Sequence, residues 1–444
     1  MKTEKRAQFA TRLGVIATTV GSAVGLGNIW RFPYEAGAHG GGAFMLCYLF
    51  FIFLIGIPVI TAEFVMGRAS RSGILGAFRF HSGGRRWDWI GYASILASIL
   101  ILSFYSVVAG WTMGYTVESA TGHLGEVADA ARHAEFDSFI SGWQPVGWMA
   151  AFLFINAAVL LGGVQKGIER ISNILTPLLF VILIAFCVNS LFMPAASEGL
   201  AFLFKPDFGA LTPSVVLGAM GQAFFSLSIG LGCMMTYASY FSDDTHIVRS
   251  ASVTALLDTL VAILAGVIIF PAVFSFGMES EAGPRLAFEV LPTIFNRLPG
   301  GAVWSTLFFF LLVVASLTSS ISMSEIFVAF MCDEFGVKRR TATLLLTVFA
   351  LGLGSLCALS FGILGDVTIF GLTFFDLSDY TASNILLPLG GMVISLFVGW
   401  RLKRSVLVSQ LDPDGKLPRW IFYWILISLR FIAPLCILMV FLAS

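Results

Sequence analysis

Eleven stretches of this chain are long and apolar enough to cross a lipid bilayer as helices, and this limits what it can fold into. They run at 13–36, 43–67, 88–116, 145–163, 171–193, 213–241, 250–276, 302–331, 341–361, 374–400 and 420–442. A helix needs about 20 apolar residues to span the hydrocarbon, whereas a barrel strand needs about 10. These runs are too long for strands and lack two-residue alternation, so their backbone groups must be satisfied within helices. The expected fold is an all-α integral membrane protein with eleven transmembrane helices. Composition agrees: 57% of residues are hydrophobic and 12% charged, where a soluble domain has about 25% charged. A net charge of zero gives no basic footprint for nucleic acid. The expected partners are the lipid bilayer and a small molecule.

Basic residues orient the spans. With the N-terminus in the cytoplasm, one side collects Lys2, Lys5, Arg6 and Arg12, then Arg68, Arg71, Arg79, Arg85 and Arg86, then Lys166, Arg170 and Arg249. It also collects Lys338, Arg339, Arg340, Arg401, Lys403, Arg404, Lys416 and Arg419, which makes 20 of the 26 basic residues. The positive-inside rule then sets the N-terminus inside and the C-terminus outside. No cleavable signal peptide is evident. The six cysteines sit in or beside apolar runs without a CxxC pair, as small buried thiols do. HExxH, GxSxG and P-loop motifs are absent, and the five histidines are scattered. Enzyme chemistry therefore has no visible basis.

Two spans carry glycine near their middle. The first reads Gly21-Ser22-Ala23-Val24-Gly25-Leu26-Gly27-Asn28, and the sixth reads Phe225-Ser226-Leu227-Ser228-Ile229-Gly230-Leu231-Gly232. Glycine costs a helix about 1 kcal/mol relative to alanine. Interruptions at matching positions suggest two repeats, residues 13–193 and 213–400, with 420–442 as an extra C-terminal helix. Each repeat has five spans, so the second is expected to be inverted relative to the first. Spacing alone fits equally a packing seam, because Gly21 and Gly25 also form a small-xxx-small pattern. Asn28, Ser226 and Ser228 favour a ligand site, since they add polar groups where the backbone is already weak. Unwound carbonyls suit a cation and helix N-termini suit a carboxylate. A zwitterion with Na⁺ is the natural ligand set. Asp258, deep within the seventh span, is a functional candidate because a charge there is expensive.

A set of ordered motifs then carries a resemblance. They are Ala10–Gly14, Gly25–Pro33, Gly40–Phe44, Gly56–Pro58, Glu63 with Met66–Arg68, Lys166–Glu169, Gln222–Ser226, Tyr237–Tyr240 and Leu317–Ser320. Over about the first 400 residues the chain resembles the neurotransmitter:sodium symporter family, in its prokaryotic amino-acid branch, including the eleven-span bacterial members. The resemblance implies Na⁺-coupled symport of an amino acid by alternating access, with two sodium ions and a monomer or weak homodimer. One sodium site is implied at Ala23, Asn28, Ser226 and Asp258, and the other at Gly21, Val24, Ala315, Thr318 and Ser319. The substrate is implied to lie among Ser22, Ala23, Gly25, Leu26, Gly27, Ile101, Tyr105, Phe225, Ser226, Ser228, Leu231, Ser319 and Met323. That lining carries no charge, so a neutral, mainly hydrophobic substrate is expected.

Arg31 with Asp379 resembles an outer gate, and Arg6 with Asp333 and Tyr240 an inner one. Residues 1–12 resemble a cytoplasmic latch. Glu63 resembles the acid that braces the sixth span. Gly167 and Pro177 bracket a stretch of span 5 that unwinds in relatives. Asp258 stands where many relatives have asparagine, and there it supplies a negative charge. This implies chloride-independent transport and a carboxylate able to carry a proton back. A channel or a membrane sensor is the competing class. Only one asymmetric pair of breaks is present and no soluble signalling domain, which disfavours both.

Overall fold

The computed structural model describes residues 6–126, 131–277 and 286–443. Lys2, Lys5 and the rest of the first five residues of the latch lie outside these. Regular structure among the described residues is helical, apart from one isolated bridge between Ile369 and Leu372. The first apolar run forms two helices, α1 (Arg12–Ala23) and α2 (Gly27–Ala38), bent by 58° at the three residues between them. Continuous membrane-length helices follow: α3 (Gly42–Ser70), α4 (Asp88–Ala120), α5 (Gln144–Leu161) and α6 (Val164–Ser190). The sixth run is again divided, into α7 (Pro213–Ser226) and α8 (Cys233–Ala238), with 227–232 in turns. Then come α9 (Ile247–Phe276), α10 (Gly301–Phe335), α11 (Arg339–Leu359), α12 (Phe374–Arg401) and α13 (Arg419–Ala443). Among the described residues, nine helices are therefore continuous and apolar enough to span a membrane, and the bent α1/α2 pair is a tenth.

Burial separates inner from peripheral helices. About two thirds or more of the apolar stretch is buried in α3, α4, α9 and α10, against one third in α6 and α13. The peripheral helices show apolar side chains outward, as lipid requires. The broken helices pack among α3, α6, α9 and α10, so their free backbone groups face protein rather than hydrocarbon. Local sequence starts and stops them. Thr11 caps α1 by accepting from Gly14 N at 2.9 Å, and Thr212 caps α7 through Val215 N, each satisfying a donor at the helix start. Gly230 makes the second break possible. Its φ is +91°, and a Cβ there would fall 2.3 Å from Leu387 O, so both the turn and the approach of α12 exclude a side chain.

The described part of the N-terminal segment is docked. Phe9 N donates to Tyr240 O at 2.9 Å, and the Phe9 ring stands edge-on to Tyr237 and Tyr240, each with centroids 5.9 Å away. Residues 164–169, ahead of the long helical part of α6, are wound as π-helix, and Pro177 lies within the helix that follows. All six cysteines are free, four of them buried.

Candidate functional site

The two breaks face each other across a cavity. It is lined by Ala23, Gly25, Leu26, Gly27 and Asn28 from the first break, and by Phe225, Ser226, Ser228 and Leu231 from the second. Ile101, Phe104 and Tyr105 come from α4, Ser319 and Met323 from α10, and Ser383 and Leu387 from α12. No charged side chain is among them. Gly25 lets the first break approach its neighbours: a Cβ there would sit 3.0 Å from Ser319 Oγ and 3.1 Å from Tyr105 Oη. Leu26 N donates to Tyr105 Oη at 3.4 Å. This amide lies at the start of α2, where a helix has unsatisfied donors and a positive end.

A buried polar cluster adjoins the cavity. Asp258 is fully buried. Its carboxylate accepts from Ser226 Oγ at 2.6 Å and from Asn28 Nδ2 at 2.8 Å. Asn28 Oδ1 accepts from Gly25 N at 3.0 Å, and Tyr48 Oη donates to Ser226 Oγ at 3.2 Å. One carboxylate among neutral oxygen-bearing groups is a donor set that suits a hard monovalent cation. A second set lies between α1 and α10. Ser319 Oγ donates to Val24 O at 2.6 Å and lies 3.4 Å from Gly21 O. Thr318 Oγ1 instead donates back to its own helix, at Ala315 O (3.0 Å) and Val314 O (3.2 Å). The set is again all oxygen. Glu63 spans the second break, accepting from Gly230 N at 3.0 Å and Met235 N at 3.3 Å.

The two ends of the bundle differ. At one, Arg6 pairs with Asp333 at 2.7 Å, donates to Ser239 Oγ at 2.9 Å and lies over the Tyr240 ring. At the other, Arg31 and Asp379 do not form the expected ion pair. Arg31 instead faces Glu35 at 3.6 Å and lies 4.2 Å over the Phe225 ring, while Asp379 accepts from Ser383 Oγ at 2.7 Å. Each has found a partner one turn along its own helix, which needs no approach of the two helices. Ser22 is also displaced from its expected place. It is buried but does not line the cavity, and its hydroxyl lies beside the Cys233 thiol. The reason is rotational: adjacent helix positions point about 100° apart, and Ala23 takes the cavity side.

Several residues were not singled out by the sequence. Glu325 is buried on α10 and joins Tyr240 Oη (2.6 Å) to Arg339, which holds both its oxygens at 2.8 and 2.5 Å. An acid inside an apolar run is the same signal that marked Asp258, so Glu325 was discoverable. Glu169 accepts from Ala10 N (2.8 Å), Thr11 N (3.1 Å) and Thr11 Oγ1 (3.0 Å), tying the segment before α1 to the start of α6. It lies in a quoted motif, but its partners are remote in sequence. Tyr48, Phe104, Ser383 and Leu387 gave no local signal.

A cavity between two broken helices, inside a bundle of membrane-length helices, defines a multi-pass membrane transporter. The chain belongs to the sodium:neurotransmitter symporter family, which it matches over residues 6–131 and 137–444, and is accordingly a sodium-coupled symporter. It is 42% identical to an uncharacterized sodium-dependent transporter, YhdH, of Bacillus subtilis, covering 100% of this chain and 98% of the relative. An uncharacterized sodium-dependent transporter of Haemophilus influenzae is 34% identical, covering 99% and 98%. Among solved structures, MhsT in complex with L-phenylalanine superposes with a TM-score of 0.90 at 46% identity, covering 99% of each chain.

Proposed function

We propose that the chain carries a neutral, mainly hydrophobic L-amino acid with Na⁺ across a bacterial inner membrane by alternating access. The observation that carries this reading is the cavity itself: apolar walls without charge, with the Leu26 amide and Tyr105 hydroxyl at one edge and the Asp258 cluster at another. The amides of Leu26 and Gly27 and the Tyr105 hydroxyl receive the substrate carboxylate. Carbonyls near Ala23, Phe225 and Ser226 receive its amine, and Ile101, Phe225, Leu231 and Met323 enclose its side chain. The solved relative bound to L-phenylalanine supports a substrate of this size and polarity.

Two sodium ions are carried. One is held by Ala23, Asn28, Ser226 and Asp258, the other by Gly21, Val24, Ala315, Thr318 and Ser319. Asp258 supplies the negative charge, so chloride is not required, and it takes a proton for the return step once sodium has left. Arg6, Asp333 and Tyr240 form the cytoplasmic gate, and Arg31 and Asp379 the outer gate. Glu63 keeps the second break in register through the turn. Counting α1 with α2 and α7 with α8 as single discontinuous spans gives eleven spans. These form two inverted five-span repeats and a final helix, with the N-terminus inside and the C-terminus outside.

Uptake of a panel of amino acids into proteoliposomes, with and without an inward sodium gradient, tests the proposal. Sodium-dependent accumulation of apolar amino acids at a fixed ion ratio is expected. Flux without a fixed ratio would indicate a channel, and no sodium-dependent uptake of any amino acid defeats the reading.

A further inference from the structure

Asp379, Ser383 and Leu387 are spaced four residues apart on α12 and so share one helix side. They connect three places. Asp379 stands at the Arg31 end, Ser383 and Leu387 line the cavity, and the Leu387 carbonyl abuts Gly230 in the second break. Ser383 lies in the π-helical stretch Tyr380–Leu386. A serine hydroxyl has a single proton to donate, and Ser383 gives it to Asp379 Oδ1 at 2.7 Å. With that bond in place the carboxylate is held by its own helix, and Arg31 stays with Glu35 and the Phe225 ring.

We propose that Ser383 is a positioning residue that couples the contents of the cavity to the outer gate. Its hydroxyl keeps Asp379 from Arg31. A substrate side chain filling the space before Ser383 turns the hydroxyl aside and frees the carboxylate for the arginine. The proposal rests on the reading of Arg31 and Asp379 as a gate.

The test uses the full-length protein with Phe104→Cys as a reporter in the cavity wall. It is treated with a membrane-impermeant thiol reagent in Na⁺ buffer without amino acid, and modification at position 104 is followed by peptide mass spectrometry. Adding Ser383→Ala should slow modification about tenfold, the scale of one hydrogen bond to a charged group. Ser383→Thr, which retains the hydroxyl, should restore the parent rate. On an Asp379→Ala background, Ser383→Ala should change nothing. An unchanged rate in Ser383→Ala, or the same slowing without Asp379, overturns the proposal. Because the readout needs no substrate, it decides the role of Ser383 even if the unsubstituted protein takes up no amino acid, a result that defeats the proposed function alone.

Discussion

The Arg6 end and the Arg31 end of the bundle use the same kinds of residues to opposite effect. At the Arg6 end, partners come from segments far apart in the chain: Arg6 with Asp333, Tyr240 with Glu325, and Glu169 with Ala10 and Thr11. At the Arg31 end, the polar partners of Arg31 and Asp379 are Glu35 and Ser383, each four residues away on the same helix, and Arg31 reaches another span through the Phe225 ring. Long-range pairs can form only when helices have come together, whereas own-helix pairs survive their separation. The first end is therefore bolted and the second merely parked. In the proposed orientation, the bolted end faces the cytoplasm.

The largest effect is expected midway between the ends. Asp258→Asn should abolish sodium-dependent uptake in chloride-free buffer and recover it when chloride is added, because an anion then replaces the lost charge. Equal uptake in both buffers would remove Asp258 from the coupling scheme. Next is Glu325→Ala, which strips the partner from Arg339 and Tyr240. Breaking a fully buried pair from one side costs about 3–5 kcal/mol; Arg339 keeps a quarter of its side chain exposed, so thermal unfolding in detergent should show a loss toward the lower end of that range. A variant with unchanged stability would show that the bolted end is not held by this pair.

Glu169→Ala should cost less, about 1–3 kcal/mol for the amides left without an acceptor. It should also raise proteolysis of the segment before α1, and unchanged cleavage would detach Glu169 from the latch. Glu35→Gln should have the smallest effect on stability. A partly exposed i,i+4 pair at 3.6 Å contributes about 0.5 kcal/mol, so the unfolding temperature should move little. A large loss would mean that the parked end is bolted after all, and would erase the distinction between the two ends.

The apolar runs and both breaks are legible in the sequence because they depend on local chemistry. Gly25 and Gly27, and Gly230 and Gly232, mark the interruptions without reference to any other helix. Most of the cavity lining was also identified, but through motif likeness rather than spacing. Where the reading departed from the structure, the deciding quantity was a rotation or a choice of partner. Ser22 differs from Ala23 only by its direction about the helix. Arg31 could meet Asp379 or Glu35, and nothing within either segment selects between them. Ser383 and Leu387 enter the cavity wall because α12 packs against Gly230, a contact that depends on the position of the whole helix.

By itself, the sequence determined that this chain is a bundle of membrane-length helices interrupted near the middle of two spans. Transfer of apolar side chains into lipid is close to additive along a segment, and glycine weakens a helix wherever it stands. Only the tertiary structure decided which polar groups meet at the interruptions. Asn28 reaches Asp258 across 230 residues of sequence, and Tyr240 reaches Glu325 across 85. Such pairs depend on distances of a few ångströms between helices. Those distances are set by the packing of all the helices together and are written in no single one of them.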